Sequence, residues 1–143
     1  MRNSSDDEAD GAISGVGPAI DFGLALVVGS SPVNRVVVSR IGERAGLRTQ
    51  NATPQQALAA LSGPLPALVI LDGGADGREG DAVIAHLAPL RRPVSGRLAP
   101  LVILLSGHHP ETPPADVDAV VAKPIIPDRL QPVIHDLIGH LRT

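Results

Sequence analysis

Four short, uninterrupted apolar runs most constrain what this chain can fold into. Each run has only four or five residues, a common strand length that is too short for a buried helix. Because polar residues do not alternate within them, both faces of each strand are expected to be covered, as in a parallel sheet between helix layers. A weaker fifth strand is predicted at Leu47–Asn51. The four runs are Leu24–Val28, Ala67–Leu71, Leu101–Leu105 and Ala119–Ala122.

Segments with helical spacing separate these runs. In the last of them apolar residues recur every three or four positions, and Pro132 removes one backbone donor, so a kink is predicted there. The stretch His108–Asp118 has three prolines and no apolar stripe, so a helix there is expected to be short or missing. The predicted helices are Val33–Ala45, Thr53–Leu61, Gly80–Leu90 and Pro127–Leu141. This alternation predicts a doubly wound α/β domain.

Acidic residues are concentrated at the amino terminus. Five of the 15 acidic residues lie in the first 21 positions, together with one of the 12 basic residues. Residues 1–20 are therefore predicted to be a disordered acidic tail, and residues 21–143 a single folded domain. The chain has no cysteine, which excludes disulfides and thiolate metal sites.

Composition also argues against several kinds of partner. The remaining 10 acidic and 11 basic residues nearly balance, so no basic face for nucleic acid is expected. Phe22 is the only aromatic residue, so stacking of nucleic-acid bases on aromatic side chains is not expected. No apolar run near the amino terminus approaches the roughly 20 residues of a spanning helix, and that terminus is acidic, unlike a secretory signal. We expect a soluble, cytoplasmic protein that binds neither nucleic acid nor membrane.

Polar residues follow the predicted strands at the points where they end. Asp72, Ser106 and Lys123 each come directly after one of the apolar runs. The carboxyl ends of parallel strands meet at one edge of the sheet, where functional residues collect. Lys123 is the only lysine beside 11 arginines, which favours a site that needs a compact ammonium group. The structural alternative is that Lys123 only neutralises Asp72, an ordinary carboxylate in a glycine-rich turn.

Several segments together resemble the receiver domain of response regulators in two-component signalling. LALVVGSSPVNR resembles the opening strand and helix, and LVILDGGADGREG the phosphoacceptor segment, with Gly80 eight residues after Asp72. LVILLSG resembles the strand that ends in the switch hydroxyl, and AVVAKPI the lysine-proline strand end. The resemblance covers about residues 22–142. It implies a flavodoxin-like (receiver-type) doubly wound fold with five parallel strands in the order 2-1-3-4-5.

The resemblance implies a role for each residue at this edge. Asp72 would be the phosphoacceptor, forming an acyl phosphate with a phosphoryl group from a histidine kinase or phosphotransfer protein. Ser106 and Lys123 would bind the phosphoryl oxygens and switch the loops that follow the strands. The chain would then be no enzyme beyond catalysing its own phosphorylation.

The chain departs from the family pattern at the metal site. Gly29 and Ser30 stand where receivers carry two acidic residues that hold Mg²⁺ together with the phosphoacceptor. Asp72, a backbone carbonyl near Gly74 and the Ser30 hydroxyl form a poor set for a cation usually held by one or two carboxylates. Weak or absent Mg²⁺ binding is therefore predicted, with no other cofactor.

Other features have competing interpretations. The segment Gly29–Ser31 either presents backbone N–H groups to an anion or only places Ser31 as a helix cap, and the cap is favoured. Asp76 is either a substitute metal ligand or a solvated loop acid, and the loop acid is favoured. Val120 stands where the family usually has an aromatic residue, so the usual ring rotation is not expected. The arginines of residues 91–100 either dock a partner or belong to an exposed loop, and the exposed loop is favoured.

Three functions are compatible with these residues. The first is a phosphorylatable receiver in a two-component phosphorelay. The second is a pseudo-receiver, a protein-interaction module that is independent of phosphate and binds through its first and last helices. The third is a small-ligand-binding flavodoxin-like domain, or an enzyme that uses the same edge, which an apolar cavity beside Ser30 and Asp72 would favour.

Overall fold

The computed structural model describes residues 19–107 and 113–142. The strands in these residues are β1 (Ile20–Val28), β2 (Arg48–Ala52), β3 (Leu65–Asp72), β4 (Arg92–Val94), β5 (Arg97–Ala99), β6 (Leu101–Ser106) and β7 (Ala119–Ala122). The helices are α1 (Pro32–Arg44), α2 (Pro54–Ala60), α3 (Asp81–Leu87) and α4 (Pro127–Arg142), with a 3₁₀ turn at Ala88–Leu90.

Five parallel strands form the central sheet in the order β2-β1-β3-β6-β7. Numbered as the five predicted strands, this order is 2-1-3-4-5, so the predicted fold is confirmed. Strand β3 lies in the centre between β1 and β6, and all eight of its residues are buried. Continuous apolar sequence is what a strand covered on both faces requires.

Alternate residues of each strand build two cores on opposite faces of the sheet. Val27 of β1 packs in the core with Ile41 of α1 and Leu137 of α4. Val28, the next residue, packs in the other core with Leu61 and with Val83 of α3. Successive side chains of a strand point to opposite faces. Both faces are therefore covered, and the polar ends of the strands are left at the edges.

Residues 91–100 are not the exposed loop that was predicted. The antiparallel strands β4 and β5 form a hairpin there. Ser95 and Gly96 at its turn have φ angles of 51° and 82°, as a two-residue hairpin turn with two positive φ angles requires. At the base of the hairpin, the Arg91 side chain is only 4% exposed. The prediction was wrong because strands of three residues, rich in Arg and Pro, show no readable alternation.

Two predictions fall partly outside the described residues. Residues 1–18 of the predicted tail lie outside them, and β1 already begins at Ile20. Within His108–Asp118, residues 108–112 lie outside, and residues 113–118 contain no helix. The fourth helix of the structure, α4, lies at the carboxyl end and contains Pro132. In the described parts of the chain, no helix has the length and apolar character needed to cross a membrane.

Candidate functional site

The predicted carboxylate and ammonium groups meet at the carboxyl edge of the sheet. Asp72 ends β3 and is 7% exposed, and Lys123 Nζ lies 2.5 Å from its Oδ1. The backbone N–H of Gly74 donates to the same oxygen at 2.9 Å. Asn34 Nδ2 donates to Oδ2, also at 2.9 Å. Both oxygens of this buried carboxylate thus have hydrogen-bond donors, as burial of a charged group demands.

The strand register places Ser106 beside this pair. Asp72 is opposite Leu105 in the β3–β6 pairing, one residue before Ser106. Ser106 is 3% exposed, and its carbonyl accepts a hydrogen bond from the N–H of Lys123 at 3.0 Å. The three residues predicted for this edge therefore lie on three neighbouring strand ends. Their roles towards a phosphoryl group stay predictions.

The two positions of the missing acidic pair lie at the same edge. A Cβ atom at Gly29 would lie 3.0 Å from the Cβ of Asp72, so the end of β1 packs directly on the carboxylate residue. Ser30 is exposed, and its N–H donates to Oε1 of Glu79 at 3.3 Å. Neither position supplies a carboxylate, but Glu79 brings one next to Ser30.

Two residues at this edge were missed by the sequence analysis, Asn34 and Glu79. The Oγ of Ser31 accepts from the N–H of Asn34 at 3.2 Å, which confirms Ser31 as the cap of α1 and places Asn34 in its first turn. Spacing from the cap was the available signal for Asn34. The acid considered earlier, Asp76, is exposed and accepts from the N–H of Arg78 at 3.0 Å. It behaves as a loop acid.

Burial and hydrogen bonding act on the pKa of Asp72 in opposite directions. Burial is the largest single influence and raises the pKa, because it penalises the charged form. Hydrogen bonds from Lys123, the N–H of Gly74 and the amide of Asn34 lower it and together outweigh burial. The pKa of Asp72 therefore lies below its ordinary value. At neutral pH the side chain is a carboxylate, the form that a nucleophile needs.

Asp72 should stabilise the fold only while it is ionised. Because its folded-state pKa is lowered, this contribution is complete above the unfolded-state value and is lost as pH falls through the folded-state pKa. The stability advantage of wild type over Asp72→Asn should therefore shrink as pH falls from about 5 to about 2. Urea unfolding at a series of pH values measures this advantage. An advantage that stays constant over the range would contradict the description of an ionised pair.

The groups around Asp72 do not match the ligand set of Mg²⁺, which takes oxygen ligands and usually one or two carboxylates. The groups that contact Asp72 are N–H donors. The carbonyl of Gly74, the predicted backbone ligand, has Lys123 Nζ 3.5 Å away. Across residues 19–107 and 113–142, no three His, Cys, Asp or Glu side chains gather as possible ligands. The donor set suits an anion better than a cation.

A crevice beside Asp72 bears on the small-ligand alternative. Its lining includes Val27, Asn34 and Val38, and it leaves no room for even a water molecule. Small-molecule sites usually have volumes of roughly 300 Å³ or more. This crevice gives the small-ligand alternative no support.

Solved structures that share this fold include several receiver domains. A CheY-like receiver domain from Methylobacillus flagellatus has a TM-score of 0.63 and 19% identity, over 80% of this chain and 97% of that chain. The receiver domain of the sensor histidine kinase PA1611 from Pseudomonas aeruginosa PAO1 has a TM-score of 0.64 and 19% identity, over 81% and 97%. Its structure has a magnesium ion coordinated in the active site cleft. The apo receiver domain of nitrogen regulatory protein C has a TM-score of 0.65 and 20% identity, over 85% of this chain and 98% of that chain.

Neither a protein-family model nor a curated protein sequence matches the chain. At identities near 20%, these structural neighbours establish the fold and leave the activity open. The predicted resemblance is thus confirmed at the level of the fold. The chain has the CheY-like fold of response-regulator receiver domains.

Proposed function

We propose that this chain is a receiver domain that accepts a phosphoryl group on Asp72 in a two-component phosphorelay. One observation carries the proposal: Lys123 Nζ lies 2.5 Å from Asp72 Oδ1 at the carboxyl edge of a receiver fold. The carboxylate is a nucleophile, and the only lysine of the chain neutralises charge that an incoming phosphoryl group would add. Ser106, one strand away, is the proposed hydroxyl ligand of that group.

The proposed reaction is transfer from a phosphohistidine of the partner. An oxygen of Asp72 attacks phosphorus, and a P–O bond forms while the P–N bond breaks. The imidazole leaves with the electron pair of that bond and takes a proton from water. The product is an acyl phosphate, whose added charge biases the loops that follow β3, β6 and β7. In this proposal the domain catalyses only its own phosphorylation.

An apolar surface beside Asp72 supports a protein partner. Val33, Val36 and Val37 on α1 are 71%, 50% and 37% exposed, and exposed apolar patches of this kind mark interaction sites. Val37 also lines a groove of about 400 Å³. The other lining residues are Asn34, Lys123, Pro124 and Ile125. The proposed occupant is a helix of a histidine kinase or phosphotransfer protein, because its phosphohistidine must reach Asp72 here. Such a partner implies a cytoplasmic location.

Weak or absent Mg²⁺ binding is part of the same proposal. The PA1611 receiver domain coordinates a magnesium ion, but in this chain Gly29 and Ser30 bring no carboxylate to the corresponding edge. The ammonium group of Lys123 and the amide nitrogen of Asn34 that contact Asp72 are donors and offer a cation no lone pair. A calorimetric titration that gives micromolar affinity for Mg²⁺ would contradict this part of the proposal.

Incubation with a phosphodonor tests the proposed function. Phosphoramidate or a cognate kinase should add the mass of one phosphoryl group to the purified chain, and Asp72→Asn should abolish the addition. Asp76→Asn is the matched control, because Asp76 is an exposed carboxylate in the loop after β3, and it should leave labelling unchanged. No mass change in wild type under excess donor, with and without Mg²⁺, would refute the proposal.

A pseudo-receiver is the second candidate. The observation that favours it is that hydrogen bonds within the domain already engage both oxygens of Asp72. This candidate predicts that no phosphoryl group is added and that partner binding through α1 and α4 survives Asp72→Ala. The labelling experiment therefore separates the two candidates.

A further inference from the structure

Asn34 contacts the oxygen of Asp72 that Lys123 does not contact. Its Nδ2 donates to Oδ2 at 2.9 Å, whereas Lys123 Nζ and the N–H of Gly74 contact Oδ1. Asn34 and Lys123 also line the groove beside the carboxylate. An anionic group that approaches Asp72 through this groove therefore meets an amide on one side and an ammonium group on the other.

Contacts at the start of α1 hold Asn34 in this place. Ser31 caps the helix through the N–H of Asn34. Arg35 donates to the carbonyl of Gly29 at 2.5 Å, which fastens the first turn of α1 to the end of β1. Because Gly29 has no side chain, that end of β1 packs against Asp72. The amide therefore reaches the carboxylate from a fixed helix turn.

The charge of the Asp72 carboxylate is neutralised without a metal ion. The carboxylate of Asp72 pairs with the ammonium of Lys123, and the amide of Asn34 adds a donor without adding charge. Gly29 and Ser30 bring none of the negative charge that attracts a divalent cation. The carboxylate of Glu79 is exposed and accepts from the N–H of Ser30.

We propose that the Asn34 amide occupies the place where a divalent cation would hold Asp72, and that phosphorylation of Asp72 is independent of divalent cations. One N–H of the amide holds Oδ2, and the second, which has no partner among the described residues, can donate to an oxygen of the incoming phosphoryl group. This inference rests on the proposed function, since it concerns how the same carboxylate receives that group. Asn34 thus positions Asp72 and contacts the phosphoryl group.

A substitution that adds charge tests the inference through metal binding alone. Asn34→Asp places a second carboxylate against Oδ2 of Asp72, and two adjacent carboxylates favour a bound cation. Asn34→Asp should bind Mg²⁺ at least about tenfold more tightly than wild type in a calorimetric titration. Gln55→Glu makes the same change of charge at an exposed position of α2 and should leave Mg²⁺ affinity unchanged.

Labelling with phosphoramidate provides the second readout. Wild type should be labelled at the same rate with Mg²⁺ and with excess EDTA, whereas Asn34→Asp should require Mg²⁺. Asn34→Ala should slow labelling in EDTA by about tenfold or more, because a hydrogen bond to a charged group is lost. Its thermal unfolding should remain a single cooperative transition, which separates this effect from a loss of structure.

The outcomes separate this inference from the proposed function. Micromolar Mg²⁺ affinity in wild type, or labelling that EDTA abolishes, overturns the inference and leaves the phosphoacceptor proposal standing. If wild type is labelled under no condition, the proposed function fails, and equal Mg²⁺ affinity in wild type and Asn34→Asp then overturns the inference as well. If Asn34→Asp does not fold, the EDTA comparison between wild type and Asn34→Ala decides.

Discussion

Replacing Arg91 with leucine should lower the free energy of unfolding by about 3–5 kcal/mol. The Arg91 side chain is 4% exposed and donates to both carboxylate oxygens of Asp118, at 2.8 and 3.0 Å. It also donates to the carbonyls of Pro100 at 3.1 Å and Leu98 at 3.0 Å. Leucine would leave the largely buried carboxylate without this charge and two carbonyls without this donor, and desolvated groups of this kind are costly.

Urea unfolding measures the loss, and two further variants identify its cause. Arg78 pairs with Asp81 at 3.4 Å with side-chain exposures of 79% and 58%, so Arg78→Leu should cost no more than about 1 kcal/mol. Adding Asp118→Asn to Arg91→Leu should recover part of the loss, because the unpaired buried charge is then gone. A loss below about 1 kcal/mol in Arg91→Leu alone would show that the pair of Arg91 and Asp118 is solvated like a surface pair.

The contact between Arg91 and Asp118 also bears on the site through β7. Asp118 directly precedes β7, its N–H donates to the carbonyl of Val102 at 2.8 Å, and its Oδ2 accepts from the N–H of Val102 at 2.7 Å. Arg91 thus helps to hold the start of the strand whose far end is followed by Lys123. The buried arginine and the candidate site lie at opposite ends of the same strand.

Replacing Lys123 with methionine should slow phosphorylation of Asp72 by about 100- to 1000-fold. Methionine keeps an unbranched chain but removes the ammonium group that lies 2.5 Å from Oδ1. The transferred phosphoryl group would then meet the carboxylate without its positive neighbour. Burial, which raises the pKa of Asp72, would be opposed only by the hydrogen bonds from Gly74 and Asn34. The pKa of Asp72 should therefore rise.

Two measurements check the effect of Lys123→Met. Intact-mass spectrometry follows the rate of labelling, and an NMR titration of the Asp72 carboxyl carbon follows its pKa whether or not labelling occurs. Arg129→Met removes an exposed cation from α4 and should change neither quantity. Lys123→Arg should give an intermediate rate, because a planar guanidinium does not reproduce the geometry of an ammonium. If Lys123→Met has the labelling rate and the Asp72 pKa of wild type, the role assigned to Lys123 is contradicted.

Sequence pattern predicted the sheet well where strands are continuous and apolar. The run Ala67–Leu71 lies inside β3, and the run Leu101–Leu105 inside β6. The prediction for β1 began at Leu24, whereas the strand begins at Ile20, because Asp21 and Gly23 interrupt its apolar pattern. A strand segment that is buried on both faces must be apolar throughout, which is easy to recognise in the sequence. The first residues of a strand lie near the surface and need not be apolar, so they are hard to recognise.

The sequence pattern could predict neither the hairpin nor the contacts of Arg91. Strands β4 and β5 have three residues each, too few for alternation to appear. An arginine in such a segment is usually solvated. Only the packing of the hairpin beside Asp118 makes Arg91 a buried partner, and that packing depends on residues far apart in the chain.

By itself, the sequence determined that Asp72, Ser106 and Lys123 would share one edge, because each follows an apolar run and parallel strands end on the same side of a sheet. Only the tertiary structure decided which groups hold the two oxygens of Asp72. Asn34 reaches Oδ2 from the first turn of α1, while Lys123 reaches Oδ1 from the end of β7. Which group contacts which oxygen depends on strand order and helix placement. It therefore depends on long-range packing, which local sequence does not encode.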